Sequence, residues 1–207
     1  NSAYAPWLGE KLAENNISEV RKFSKIYIGG FLFGAIGIML ISPEVLLILG
    51  GKGYLEAKYV MAPVSMGCIC QFLYTMFVNV EQFKKKTIGM AIASITAAVV
   101  NLGLNFIFIP KIGYLAAAYT TLACYIVMGI LHMLYSRRIA RAELQDRSVF
   151  PNKVFLILSA LMLAITIAVN FIYPYAIIRY GLIVIFCIVV IIYRRKIIEI
   201  INVLKAK

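Results

Sequence analysis

Charged residues are scarce in this sequence. Only 14% of its 207 residues are Asp, Glu, Lys or Arg, whereas 62% are hydrophobic, and the mean hydropathy is +0.89. Soluble domains carry about 25% charged residues, so this chain has too few polar groups to cover a water-exposed globule. The composition excludes a soluble protein and predicts an integral membrane protein.

The residues that most enzymes and metal sites need are also rare. The chain has one histidine, His132, and four cysteines, all of which lie inside apolar segments. Cys68 and Cys70 are two positions apart, so on a helix they point to different sides and cannot clamp one metal ion. The sequence contains no G-x-x-x-x-G-K-[ST] nucleotide loop and no nucleophile–base arrangement. We therefore predict no catalytic residue, no metal site and no cofactor.

What the sequence does contain is six long apolar segments, each close to the twenty or so residues that cross a bilayer. The predicted spans are 26–49, 59–83, 87–109, 114–135, 154–173 and 175–193. The predicted units are 1–25, the end of an earlier helix and an amphipathic linker; 26–135, four helices; 136–153, a basic loop; and 154–207, two helices and a basic tail. Because the chain starts at Asn1 rather than Met, we expect it to continue a longer protein. The predicted fold class is all-α integral membrane, with six transmembrane helices.

Basic residues are divided unevenly between the two ends of these spans. Of the 21 Lys and Arg residues, 17 lie at one end, and Lys52, Lys58, Lys111 and Arg179 lie at the other. Short loops rich in Lys and Arg stay in the cytoplasm. We therefore predict that both ends of this segment are cytoplasmic. This orientation signal also accounts for the net charge of +12, so no nucleic-acid partner is expected.

Polar residues inside the spans are the candidates for function. Helical steps of three and four place six small or polar residues of the third span on one face: Thr87, Ala91, Ser94, Ala98, Asn101 and Asn105. The neighbouring face is apolar and is predicted to meet lipid: Ile88, Ile92, Ile95, Val99, Leu102 and Phe106. The two asparagines either line a polar cavity or bond to a neighbouring helix. Gln71 and Asn79, in the second span, present the same alternatives.

Glu81 and His132 lie near the basic ends of their spans. Glu81 is either a functional intramembrane carboxylate or a helix-end ion pair with Lys84 and Lys85, and we favour the ion pair. For His132 we expect a position at the membrane interface, with a proton relay as the alternative.

Three residues mark the opposite end of the spans. Pro43 is expected to interrupt and kink the first span, and Glu44 beside it belongs either to a gate hinge or to a simple helix exit. Arg179 is expected to extend towards lipid headgroups.

The segment from Thr87 to Thr121 also carries a family resemblance. An alanine-rich helix ends in N-x-x-x-N-x-x-x-I-P-x-x-G, followed by small residues and Thr. The matching positions are Asn101, Asn105, Ile109, Pro110, Gly113, Ala117, Ala118 and Thr121. Further matches are Pro43-Glu44 before Leu49-Gly50 and Tyr54, and Glu81 before Lys84-Lys85-Lys86-Thr87. In this order and spacing, residues 1–150 resemble bacterial polysaccharide flippases of the multidrug/oligosaccharidyl-lipid/polysaccharide exporter superfamily, although Ala116 stands where that family often has Gly.

The resemblance implies a fourteen-helix transporter of two lobes, in which these spans are the ninth to fourteenth helices and alternating access operates about a polar cavity. The implied substrate-cavity residues are Asn101, Asn105, Gln71, Asn79 and Glu81, and the implied gate residues are Pro43 and Glu44. The implied substrate is an undecaprenyl-pyrophosphate-linked oligosaccharide for capsule, O-antigen or another surface polysaccharide. The expected location is the bacterial cytoplasmic membrane. The expected partners are bilayer lipid, this substrate, the preceding helices of the same protein and polysaccharide-assembly proteins.

Three alternatives stay open. A multidrug exporter of the same superfamily would need acidic residues in its cavity, and only Glu44 and Glu81 approach membrane depth. A membrane-bound polysaccharide-assembly enzyme would need large loops with catalytic residues, whereas the longest predicted internal loop is 136–153. A scaffold of a glycan-assembly complex is also compatible with the sequence.

Overall fold

The chain is mostly helical in the part that the computed structural model describes, residues 4–144 and 148–205. In these ranges it forms α1 (Tyr4–Ala13), α2 (Ile17–Gly50), α3 (Lys58–Phe83), α4 (Thr87–Ile112), α5 (Tyr114–Glu143), α6 (Asn152–Ile172) and α7 (Ala176–Lys205), with a short 3-10 helix over Lys52–Ala57. Six helices, α2 to α7, are long and apolar enough to cross a membrane. The predicted all-α membrane fold with six spanning helices is therefore confirmed.

The helices extend beyond the predicted spans at the basic end. The first spanning helix already begins at Ile17, where the Asn16 side chain accepts a hydrogen bond from the Glu19 backbone N–H at 3.2 Å. Similarly, α5 continues to Glu143, so about half of the predicted loop 136–153 is helical. Hydropathy detects only the apolar part of a helix, whereas Arg, Lys and Glu continue a helix readily.

The two prolines near the opposite end also stay inside helices. Pro43 lies within α2, which remains helical to Gly50, and Pro110 lies in the last turn of α4. The chain reverses at Gly113, whose φ of 77° is a left-handed conformation that glycine adopts without a steric penalty. The Gly113 N–H donates to the Ile109 carbonyl at 2.8 Å. The reversal is therefore made by the glycine rather than by Pro110.

The central helix of the bundle is α3. It packs against α1, α2, α5 and α6, and half of its most apolar segment is buried, against 11% for α4 and 6% for α7. The side chains at the centre of the core recur at helical spacing along α3: Met66, Ile69, Leu73, Met76, Phe77 and Val80. Because α3 is held on several sides, the polar residues it carries have fixed positions.

The surface of α4 separates into three faces. The predicted apolar face is 61–85% exposed, as a lipid-facing surface requires, from Ile88 to Phe106. On the predicted small-residue face, Thr87, Ala91, Ser94 and Ala98 are also exposed. The buried residues of α4 are Ala93 and Ala97. Each precedes a residue of the predicted small-residue face by one position, so this part of α4 packs with a neighbouring face of the helix.

Candidate functional site

Three clusters of polar residues between helices contain most of the residues that the sequence singles out. The asparagine cluster consists of Asn101, Asn105 and Thr120; the histidine cluster of Tyr74, Glu81 and His132; and the proline cluster of Pro43, Glu44, Tyr173, Arg179 and Tyr180. The histidine cluster lies towards the end of the bundle that carries Lys84–Lys86 and the last turns of α5, which we call the basic end. The proline cluster lies towards the opposite end.

The asparagine cluster links α4 to α5. The Asn105 amide donates to the Asn101 side-chain oxygen at 2.8 Å and accepts from the Thr120 hydroxyl at 2.5 Å. Nearer the basic end, the Cys124 thiol donates to the Ala97 carbonyl at 2.8 Å. Asn105 thus forms a hydrogen bond between helices, through Thr120 rather than the Thr121 of the family pattern. Both asparagines remain partly exposed, so one edge of the cluster is accessible.

Gln71 and Asn79 occupy different environments on α3. Gln71 is exposed in a shallow groove of about 260 Å³ that it shares with Tyr4, Tyr27 and Phe72. Asn79 is only 5% exposed and lies in the core. The structure therefore brings Asn101 and Asn105 together, while it places Gln71 in a separate groove on another helix.

The histidine cluster joins α3 to α5 through a buried carboxylate–imidazole pair. Both Glu81 carboxylate oxygens lie 3.0 Å from Nδ1 of His132, and the two residues are 0% and 1% exposed. The Tyr74 ring stacks on the imidazole with centroids 5.5 Å apart. His132 is therefore enclosed between helices, and its position relative to the membrane interface stays a prediction.

Glu81 pairs with His132 and not with the lysines that follow it in sequence. Lys84 is the C-cap of α3, and Lys85 has a φ of 54°, so the chain turns away from the α3 axis at this point. Lys84 and Lys86 instead approach Glu143, at 4.0 and 2.8 Å. The hydrogen bond from Lys86 to the Glu143 carboxylate raises the pKa of Lys86. The predicted helix-end ion pair of Glu81 is thus wrong.

The histidine cluster satisfies a buried carboxylate with an imidazole. A buried charge is costly unless it is paired, and the Glu81 carboxylate lies within hydrogen-bond distance of His132. Nε2 of His132 is buried and has no hydrogen-bond partner among the described residues.

The proline cluster satisfies the backbone groups that Pro43 leaves unpaired. Proline has no N–H for the carbonyl four residues earlier, and its ring also pushes that turn of the helix apart. The Tyr173 hydroxyl donates to this carbonyl, that of Met39, at 2.9 Å, and the Arg179 guanidinium donates to the next one, that of Leu40, at 2.9 Å. Side chains from the end of α6 and the start of α7 therefore supply hydrogen bonds to the α2 carbonyls beside Pro43.

Arg179 also forms a two-pronged ion pair with Glu44. Its two terminal nitrogens each lie 2.5 Å from one carboxylate oxygen of Glu44, and the Tyr180 hydroxyl donates to the same carboxylate at 2.8 Å. Arg179 is only 4% exposed, so the expectation that it extends to lipid headgroups is wrong. Its partner Glu44 is 135 positions away. The pair joins α2 to α7 beside the proline.

An apolar cleft lies between α3, α5 and α6. Its volume is about 190 Å³, and its walls include Met66, Leu73, Tyr125, Met133, Phe155 and Leu163. At its rim lie Ile130 and Leu156, which are 45% and 50% exposed. Ser159 of α6 supplies one of its few polar atoms. The cleft therefore opens onto an apolar surface and suits a hydrocarbon ligand.

Over the described residues, the geometry supports a multi-pass helical membrane protein in which the asparagine, histidine and proline clusters lie between helices beside an apolar cleft. The sequence did not predict that Glu44 pairs with Arg179 or that Glu81 pairs with His132, although it placed the two members of each pair at the same end of the spans. The resemblance to polysaccharide flippases rests on the residues that carry it and stays a hypothesis. Comparison with protein-family models, curated proteins and solved structures returned no match.

Proposed function

We propose that this chain is part of a two-lobed flippase that moves undecaprenyl-pyrophosphate-linked oligosaccharide across the bacterial cytoplasmic membrane. The observation that carries the proposal is the apolar cleft between α3, α5 and α6. A polyprenyl tail must stay in an apolar environment while its sugar head crosses, and this cleft is open to the surface at Ile130 and Leu156. Transport of a soluble solute does not require such a cleft.

The polar clusters support the same proposal. In alternating access, two lobes rock about a central site, and a helix that contains proline can change its bend during that motion. Tyr173 and Arg179 hydrogen-bond to the α2 carbonyls of Met39 and Leu40 beside Pro43, so in this proposal the proline cluster stabilises one state of the gate. With the basic end in the cytoplasm, this cluster lies on the outer side.

The pairing of the acidic residues favours a flippase over a multidrug exporter. A cavity that binds organic cations needs carboxylates that are available to them. Glu44 is paired with Arg179, and Glu81 with His132. Both carboxylates that the sequence places at membrane depth therefore already have partners.

The proposal can be tested by filling the cleft. In the native gene product, Ser159→Trp places a large ring in the cleft, while Leu161→Trp, two residues away, adds the same ring at a side chain that is 53% exposed. In a strain without its polysaccharide flippase, Ser159→Trp should abolish surface glycan, whereas Leu161→Trp should restore it as the unsubstituted protein does. Glycan is normalised to the amount of folded protein in the membrane.

Photo-crosslinking provides the second arm of the test. A photoreactive amino acid at position 159 should capture the lipid-linked oligosaccharide, and one at position 161 should capture bulk phospholipid. Full glycan export by Ser159→Trp, together with no capture of the lipid-linked substrate at position 159, would refute the proposed role.

A further inference from the structure

A second cleft lies at the basic end between α4 and α5. It has a volume of about 770 Å³, and three arginines of α5 line it: Arg137, Arg138 and Arg141. The rest of its lining comes from Gly89, Ile92 and Ala93 of α4 and from Leu131, Leu134 and Tyr135 of α5. We propose that this arginine cleft binds the phosphate group of an anionic membrane lipid.

The cleft depends on the close approach of Tyr135 to α4. A Cβ atom added at Gly89 would overlap the Tyr135 ring, so only glycine allows the ring to lie against the first turn of α4. The α4 N-terminus has no side-chain cap, and its free N–H groups add a positive potential to that of the arginines. The arginines therefore line a cleft with walls from two helices, and an exposed basic helix alone would not form such a cleft.

Among the described residues, no carboxylate neutralises the positive charge of the cleft. No acidic residue lines the cleft, and the nearby carboxylate of Glu143 is occupied by Lys86 and Lys84. Within residues 4–144 and 148–205, none of the three arginines forms an ion pair. A general bias of basic residues towards one end accounts for their presence. It does not account for three unpaired guanidinium groups around one cleft.

The shape and polarity of the cleft point to a lipid rather than to free phosphate. Guanidinium groups bind phosphate oxygens through paired hydrogen bonds. Next to the arginines, towards the middle of the bundle, lie Ile92 and Leu134, which are 61% and 50% exposed. A lipid can place its phosphate on the arginines and its chains along these apolar residues, whereas inorganic phosphate would leave them without a partner. This inference does not depend on the proposed function.

The experiment measures lipid binding to the purified native gene product by native mass spectrometry in detergent. The probes are phosphatidylglycerol and phosphatidylcholine, whose acyl chains are matched and whose headgroups differ in net charge. The test variant is R137Q/R138Q/R141Q. The control variant K153Q/R194Q/R195Q removes three exposed basic residues outside the cleft.

We expect the unsubstituted protein to prefer phosphatidylglycerol and the test variant to bind it roughly 10- to 100-fold more weakly, as the loss of several basic contacts to an anionic lipid predicts. The control variant should keep the preference. Equal binding of both lipids by the unsubstituted protein would overturn the proposal, as would an equal loss in both variants. Displacement of the lipid by inorganic phosphate at equal concentration would show a free-phosphate site and overturn the assignment to lipid.

Discussion

Arg179→Met tests whether the proline cluster holds α2 to α7. Methionine keeps much of the length and apolar volume of the side chain but removes the guanidinium group. The variant loses both hydrogen bonds to Glu44 and the bond to the Leu40 carbonyl, at 2.5, 2.5 and 2.9 Å. It leaves the Glu44 carboxylate with the Tyr180 hydroxyl as its remaining side-chain donor, and it removes the donor to the Leu40 carbonyl beside Pro43.

The expected cost lies between that of a surface and that of a buried ion pair. Exposed pairs contribute about 0–1 kcal/mol, whereas removal of one partner of a buried pair costs about 3–5 kcal/mol. Arg179 is buried, but the Glu44 side chain is 35% exposed, so water partly solvates the carboxylate that remains. We expect Arg179→Met to lower the free energy of unfolding by about 2–3 kcal/mol. Glu44→Gln keeps a hydrogen-bond acceptor and should cost about 1 kcal/mol.

The measurement is a double-mutant cycle with unfolding in mixed micelles of dodecyl sulfate. The Glu44→Gln/Arg179→Met variant should be more stable than the sum of the single changes predicts, by about 1–2 kcal/mol. Arg194→Met on the same helix, at an exposed position, should stay within about 0.5 kcal/mol of the unsubstituted protein. A similarly small effect of Arg179→Met, or the absence of coupling in the cycle, would refute the proposed role of the pair.

Three further predictions address the other clusters and the topology. Asn105→Leu should lower the free energy of unfolding by about 0.6–1.7 kcal/mol in the same assay and leave export per folded molecule unchanged, because the residue joins α4 to α5. A loss of export at unchanged stability would contradict this role and place Asn105 in the transport cavity. Glu81→Leu should cost about 1–3 kcal/mol because it leaves a buried imidazole unpaired, and Glu81→Leu/His132→Leu should recover part of this loss; no recovery would contradict the pairing. In a background without native cysteines, Lys52→Cys and Lys111→Cys should react with a membrane-impermeant thiol reagent on intact cells, whereas Lys85→Cys and Arg141→Cys should not; the reverse pattern would contradict the orientation.

Local composition and periodicity were enough to predict the membrane class, the six spans and the exposed apolar face of α4. Hydropathy is a property of each segment, and a face such as Ile88 to Phe106 follows from helical periodicity alone. The ends of the helices were less predictable, because Arg137, Arg138 and Arg141 lower the hydropathy without ending α5. For the same reason, the sequence predicts a basic loop at these arginines, whereas in the structure they lie on α5 and line a cleft.

Tertiary structure decided which polar groups meet. Glu81 and His132 are 51 positions apart, and Glu44 and Arg179 are 135 apart, so their pairing depends on how each helix is rotated and on which helices are neighbours. The sequence placed the members of each pair at the same depth, but it assigned Arg179 to lipid headgroups and His132 to the interface. Burial makes the difference, because a charge enclosed by helices must find a partner there, whereas a charge facing the membrane boundary can be solvated. Rotation about the helix axis determines which of these environments a side chain has, and packing against neighbouring helices sets that rotation.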